Sequence, residues 1–269
     1  KESLFTQASK ELHVSADAFV RALNDIFEPA LVLSRTIVDS GIWREDPAGN
    51  ADSFFSLTTG PVRQFEHLNG AFIGFPDGRF FHIQNLTLSG ARNMERVAIH
   101  RRTIGDPINQ PEGHWELYNP VSRKWAYDKT RSEPFDPRTR PWYTSALEAN
   151  GPVWTESYVF ASSGQIGVTY AQPLFDDTGA LWGVLGIDLS LNTLSRTMLQ
   201  TADDLAGIGN LVFATDLGNK MLGHPDFVEQ AEEMRRDTAT FFARYSVPTS
   251  FEGTVQRTVT TPGQVVPLS

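Results

Sequence analysis

The stretch "VWTESYVFASSGQIGVTYAQPLFDDTGALWGVLGIDLS", residues 153–190, holds three strand-forming runs divided by two tight-turn signals. The first run, "VWTESYVF" (153–160), is rich in β-branched and aromatic residues. A Ser-Ser-Gly turn at 162–164 leads to "QIGVTYAQPLF", and Asp176-Asp177-Thr178-Gly179 leads from there to "ALWGVLGIDLS". Strands joined this closely pair with their neighbours, which predicts an antiparallel meander.

The same texture extends upstream. "AFIGFPDGRFFHIQNL" (71–86) reads as strand, Pro-Asp-Gly turn, strand. "ERVAIHRRTI" (95–104) and "HWELYNPVSRKWAYD" (114–128) read as further strands, with turns at Asp106-Pro107 and Asn119-Pro120. "WYTSALEANG" (142–151) is a short helix closed by Gly151. "LNTLSRTMLQ" (191–200) is helical, with Ser190 as its N-cap.

Residues 1–41 read as helix. Phe19, Val20, Leu23, Ile26, Phe27, Leu31, Val32, Leu33, Ile37 and Val38 follow a mostly i, i+3/i+4 spacing, and Gly41 ends it. Pro29 predicts a kink or break near Glu28. A helix of ~40 residues spans roughly 60 Å and runs past more than one packing unit. From about residue 205 the theme restarts: "GNLVFATDLGNKMLGHPDF" is strand, turn, strand, and "FVEQAEEMRRDTATFFARY" is helical. "EGTVQRTVTT" and "GQVVPLS" read as short strands. The expected class is α+β: a long N-terminal helix (1–45), a larger antiparallel-sheet subdomain (46–190), a connecting helix (191–204) and a smaller subdomain (205–269).

Composition narrows the function. The chain has 269 residues and a formal net charge of -9, which argues against a nucleic-acid partner. It has no cysteine, hence no disulfide framework and no thiolate nucleophile. No apolar run is long enough to span a membrane. Lys1 has no Met before it, so the chain reads as an excised piece of a longer protein. The histidines at 13, 67, 82, 100, 114 and 224 show no metal-ligand spacing. The "DTG" at 177–179 has no second copy, which an aspartic protease needs, and reads as a hairpin turn. No nucleophile-elbow, phosphate-loop or dinucleotide motif occurs. No catalytic residue, metal ligand or cofactor is therefore assigned.

The most unusual segment is "FDPRTRPWYTSA", residues 135–146. Pro137 and Pro141 stiffen it, and Pro141 suits the first position of the following helix. Arg140 then sits at the positive end of that helix beside Trp142 and Tyr143. A guanidinium fork, an indole N–H and free backbone N–H groups form a local anion site. Tyr158 on the next strand and Asp188 at the end of "GVLGID" add a polar tip and a carboxylate. Opposite charges between aromatic walls suit a small zwitterionic or amine-bearing ligand. For Trp142 alone, core packing explains the residue equally well.

These segments, with "ATDLGNKMLGHPDF" at 214–227, resemble the double Cache (dCache) sensor domains of bacterial chemoreceptors, sensor kinases and nucleotide-cyclase receptors. The resemblance covers essentially the whole chain. It implies two PAS-like subdomains, an extracytoplasmic location, flanking membrane anchors and a ligand pocket in the distal subdomain. It implies that Arg140 and Trp142 hold a ligand carboxylate while Tyr158 and Asp188 hold its amine, with Tyr143 in the same set. Amino-acid binders of this pattern carry Tyr five residues before the Arg; here that position is Phe135. A lost hydroxyl contact weakens the carboxylate grip by about 0.5–1.5 kcal/mol. The implied ligands are an amino acid, another amine or a small organic acid. The implied protein partner is a second copy, through the N-terminal helix. The competing readings are an interaction module with a vestigial pocket and a soluble hydrolase.

Overall fold

The computed structural model describes residue 21 and residues 24–42, 47–86, 99–104, 112–119, 122–132, 135–192, 195–196, 258–261 and 264–266. The chain divides into two compact units, one of Pro29–Tyr158 with Val168–Ser190, the other of Lys1–Glu28, Val159–Gly167 and Leu191–Ser269. The first unit holds most of the large sheet and every candidate site residue. In the second unit, the described residues beyond 196 form one small antiparallel pair, β10 (Thr258–Thr261) with β11 (Gln264–Val266). Apart from these two strands, the expected smaller subdomain, with the rest of the connecting helix and the first twenty residues, lies outside the described residues.

Helix α1 runs without interruption over 24–40, so no break occurs at Pro29. Gly41 follows it with φ 69°, the left-handed position that glycine occupies cheaply. A second helix, α2 (Pro47–Gln64), was not foreseen in the sequence. Its two glycines and internal Pro61 lower its helix propensity, and tertiary packing overrides them. Phe54, Phe55, Thr58 and Val62 are buried, and the Asn85 side chain donates to the Val62 carbonyl at 3.0 Å.

The sheet comprises β1 (Leu68–Gly74), β2 (Phe80–Asn85), β3 (Ile99–Ile104), β4 (Glu112–Asn119), β5 (Lys124–Ser132), β6 (Val153–Trp154), β7 (Tyr158–Val159), β8 (Ile166–Phe175) and β9 (Leu181–Ser190). Their order is β5-β4-β3-β2-β1-β9-β8-β6, with β7 also on β8. The α+β class with an antiparallel sheet therefore holds. Two details differ from the sequence reading. The expected strand 153–160 is present as two-residue pieces, β6 and β7, and between them the Thr155 N–H still donates to the Thr169 carbonyl of β8 at 2.9 Å. The final strand also does not stop at its hairpin partner, because β9 pairs with β1 and joins the two parts of the sheet.

The Pro-Asp-Gly turn is as expected: Phe75 and Arg79 close it at 2.9 Å, and Gly78 has φ 91°. Alternation along the strands sorts residues onto two faces. Phe81 packs toward Phe55 of α2, and the Ser34 hydroxyl of α1 donates to Gln172 of β8 at 2.8 Å. The opposite face presents Phe72, Phe80, His82, Ala171, Val184 and Asp188, and the 135–158 segment covers it.

Candidate functional site

The covering segment is built as its prolines dictate. Pro137–Thr139 forms one 3₁₀ turn, and the Asp136 carboxylate accepts from the Arg138 backbone N–H at 2.9 Å. Arg138 returns to Asp136 through Nη2 at 2.7 Å and reaches the Pro76 carbonyl at 3.1 Å, tying the turn to the β1–β2 hairpin. Helix α3 (Pro141–Ala149) then starts with Arg140 as N-cap and Pro141 at its first position. It ends at Asn150, whose φ is 49°, so Asn150 rather than Gly151 takes the left-handed position. One expectation is corrected here. The Tyr143 and Thr144 backbone N–H groups donate to the Arg140 carbonyl at 3.0 and 3.2 Å, so they are not free for an anion.

Trp142 and Tyr143 are buried in one cluster with Phe72, Phe80, Ala146, Ala171 and Val184, and Phe135 and Tyr158 pack against it. The Trp142 ring lies 4.7 Å from that of Phe72, and the Phe135 ring 4.8 Å from that of Phe80. Two glycines make this close approach possible. A Cβ at Gly74 would sit 2.7 Å from Trp142 Cη2, and one at Gly186 would collide with the Phe72 ring. Trp142 thus serves as core and wall together.

Polar groups meet at one edge of this cluster. The Arg140 guanidinium lies over the Tyr158 ring, 5.9 Å from its centroid. The Tyr158 hydroxyl is 2.6 Å from Thr169 Oγ1, and Thr169 donates to Asp188 Oδ1 at 2.6 Å. Asp188 is buried in β9, and burial pushes its carboxyl up to about 8 against the Thr169 hydrogen bond and the Arg140 charge. The Tyr158 phenol is raised well above its ordinary range, first by burial and then by Asp188. Burial likewise raises the Tyr143 phenol.

The structure therefore joins Tyr158 to Asp188 through Thr169, sets Arg140 against Tyr158, and packs Phe135, Trp142 and Tyr143 as the adjoining wall. Thr169 and its partner Thr155 escaped sequence reading, since a threonine in a strand signals only β-propensity. Ser190, expected as a helix cap, ends β9 with its hydroxyl buried and without a hydrogen-bond partner among the described residues. Among the described residues no cluster of His, Asp or Glu could hold a metal, and no helix is long and apolar enough to cross a membrane.

Residues 106–196 match the family model of the first PDC sensor domain of methyl-accepting-chemotaxis-protein-like proteins. The chain is similar to methyl-accepting chemotaxis protein PscA of Pseudomonas syringae pv. tomato, 40% identical over 96 residues, which is 36% of this chain and 15% of the relative. It is also similar to adenylate cyclase 1 of Rhizobium meliloti, 29% identical over 140 residues, which is 50% of this chain and 20% of the relative. The matches thus span about a fifth or less of these relatives. Among solved structures, the ligand-binding domain of the Pseudomonas fluorescens chemoreceptor CtaA in complex with L-isoleucine aligns at 18% identity and TM-score 0.48, covering 84% of this chain and 73% of that one. The resemblance to bacterial receptor sensor domains holds over 106–196, a segment that contains Phe135, Arg140, Trp142, Tyr143, Tyr158 and Asp188.

Proposed function

We propose that this chain is the sensor module of a bacterial transmembrane receptor and binds a small amine-bearing or zwitterionic ligand in the subdomain of residues 46–190. The observation that carries the reading is the Tyr158–Thr169–Asp188 hydrogen-bond chain lying beside Arg140. A buried carboxylate and a phenol suit an ammonium group, and a guanidinium suits a carboxylate. Ionising Asp188 in β9 is costly without a positive charge beside it, because burial disfavours the charged carboxylate. The family-model match over 106–196 supports the sensor class.

In this reading residues 205–269 form the membrane-proximal subdomain, the receptor is anchored in the inner membrane with this module outside the cytoplasm, and α1 supplies the contact with a second copy. Ligand binding shifts a two-state equilibrium by its differential affinity for the two states. Residues of the site act by binding, with no reaction assigned to them. The test is a thermal-shift screen with amino acids, primary amines and small carboxylates. A stabilising compound whose effect is abolished by Asp188→Ala and Arg140→Ala supports the assignment. A compound whose effect survives both substitutions removes it.

A further inference from the structure

This inference rests on the reading just given and concerns the side chain of the ligand. Gln84 on β2 is buried, with 3% of its surface exposed. Its neighbour Asn85 turns to the helices, where its side chain donates to the Val62 carbonyl of α2. Strand alternation therefore turns Gln84 to the opposite face, which it shares with Phe80 and the Trp142 cluster. Asn85, Thr169 and Ser34 have side-chain partners in place, whereas the Gln84 carboxamide makes no hydrogen bond among the described residues. Buried amides are as a rule satisfied, so an unmatched one marks a place for a partner.

The register shows what Gln84 looks onto. Gln84 pairs with Gly70 of β1, and Gly70 with Asp188 of β9, so the three form one row across the face. Gly70 has no room for a side chain, since a Cβ there would be 2.5 Å from the Ile83 carbonyl oxygen. The next row is His82, Phe72 and Gly186, and there the Phe72 ring takes the space over Gly186. Over Gly70 the side chain that comes near is polar: His82 Nε2 would be 3.1 Å from the same Cβ. Adjacent strands lie about 4.8 Å apart, so Gln84 and Asp188 start about 10 Å from each other with a bare glycine between them.

Asp188 thus has neighbours on two sides. Towards β8 lie Thr169, Tyr158 and Arg140, the groups assigned above to an ammonium and a carboxylate. Towards β1 and β2 the row leads over Gly70 to Gln84, with His82 alongside. We propose that Gln84 is a specificity-determining residue of this site, and that the ligand is an α-amino acid whose carboxamide side chain crosses Gly70 and pairs with the Gln84 carboxamide. A carboxamide offers one acceptor oxygen and two N–H donors, so a second carboxamide complements it with one N–H donating in each direction. An aliphatic side chain in the same place leaves the Gln84 amide without its hydrogen bonds, which is the basis on which a polar site rejects an apolar analogue.

The experiment uses the full chain as wild type, Gln84→Met and Gln84→Leu. Calorimetry measures Kd for L-alanine, L-asparagine, L-glutamine and L-leucine, the last close in shape to L-asparagine. The wild type is expected to bind L-asparagine or L-glutamine about fivefold or more tightly than L-leucine. In both variants that preference is expected to vanish or reverse, while L-alanine, too short to reach Gln84, keeps its wild-type Kd. A preference that survives in the variants overturns the proposal. So does a wild type that holds L-leucine as tightly as both amides, a comparison that needs no variant to fold. L-alanine separates this failure from failure of the reading beneath it. A chain that binds L-alanine without preferring the amides refutes the Gln84 assignment alone, and a chain that binds none of the four refutes both.

Discussion

Arg140 stands over Tyr158, its guanidinium carbon 5.9 Å from the ring centroid, while Tyr158 reaches Asp188 through one threonine hydroxyl. The positive and negative ends of the site are thus coupled through a single aromatic side chain. Arg140→Ala removes a cation–π contact of about 0.5–1 kcal/mol. It also removes a charge that opposes protonation of Asp188, so the carboxyl should titrate at higher pH than in the wild type. Carboxylate ¹³C NMR of the two proteins checks the direction.

Asp188 should make the unliganded chain less stable as pH rises. Its ordinary value is 3.8 and its folded value about 8, so between these limits the folded state binds the extra proton. The Asp188 contribution is full below about pH 4, falls as pH rises toward about 8, and levels beyond, with a slope of at most about 1.4 kcal/mol per pH unit. Denaturant unfolding across this window should show the slope, and Asp188→Asn should flatten it.

Gly74→Ala should destabilise the chain by about 1–3 kcal/mol. The new methyl group meets Trp142 Cη2 at 2.7 Å and Pro137 Cβ at 2.8 Å. Trp142→Phe in the same chain removes the first of these clashes and should recover part of the loss. Urea midpoints of the single and double variants measure both effects.

Asp136→Ala should cost ~1 kcal/mol, the usual worth of a lost cap. It removes the acceptor of the Arg138 backbone N–H and of the Arg138 guanidinium, and so frees the turn that positions Arg140. The Arg138 hydrogen bond holds the Asp136 carboxyl below its ordinary value. Its contribution is therefore present above about pH 4 and is lost as pH falls further, while Asp136→Asn should show no such loss. Melting temperatures at neutral and acid pH distinguish the two variants.

Phe135→Tyr should tighten binding of α-amino acids. The Phe135 ring is half-buried against Phe80, so a hydroxyl added at its tip need not disturb that contact. One new hydrogen bond to a ligand carboxylate is worth about 0.5–1.5 kcal/mol, a few-fold to about tenfold in Kd. Calorimetry with L-alanine and with ethylamine separates the cases, since the amine has no carboxylate and should gain nothing.

Local chemistry made much of this legible in the sequence. Pro137 and Pro141 set the turn and the start of α3, Pro-Asp-Gly set the β1–β2 hairpin, and the runs around 166–190 set two long strands. Each depends on backbone preference within a few residues. The helix Pro47–Gln64 was hidden because its glycines and proline speak against it, and tertiary contacts, burial of Phe54, Phe55 and Val62 among them, hold it. The order of strands was hidden too: β9 lies beside β1, more than a hundred residues away, and pairs Asp188 with Gly70. Arg140, Tyr158 and Asp188 were visible as charged and aromatic residues, and their roles toward a carboxylate and an amine were implied by a resemblance. Thr169 was not, because its meaning lies in two oxygens brought to 2.6 Å by three different strands. Residue type and spacing determined which groups this protein has; long-range pairing decided which of them share a proton, because a hydrogen bond depends on distance in space and not along the chain.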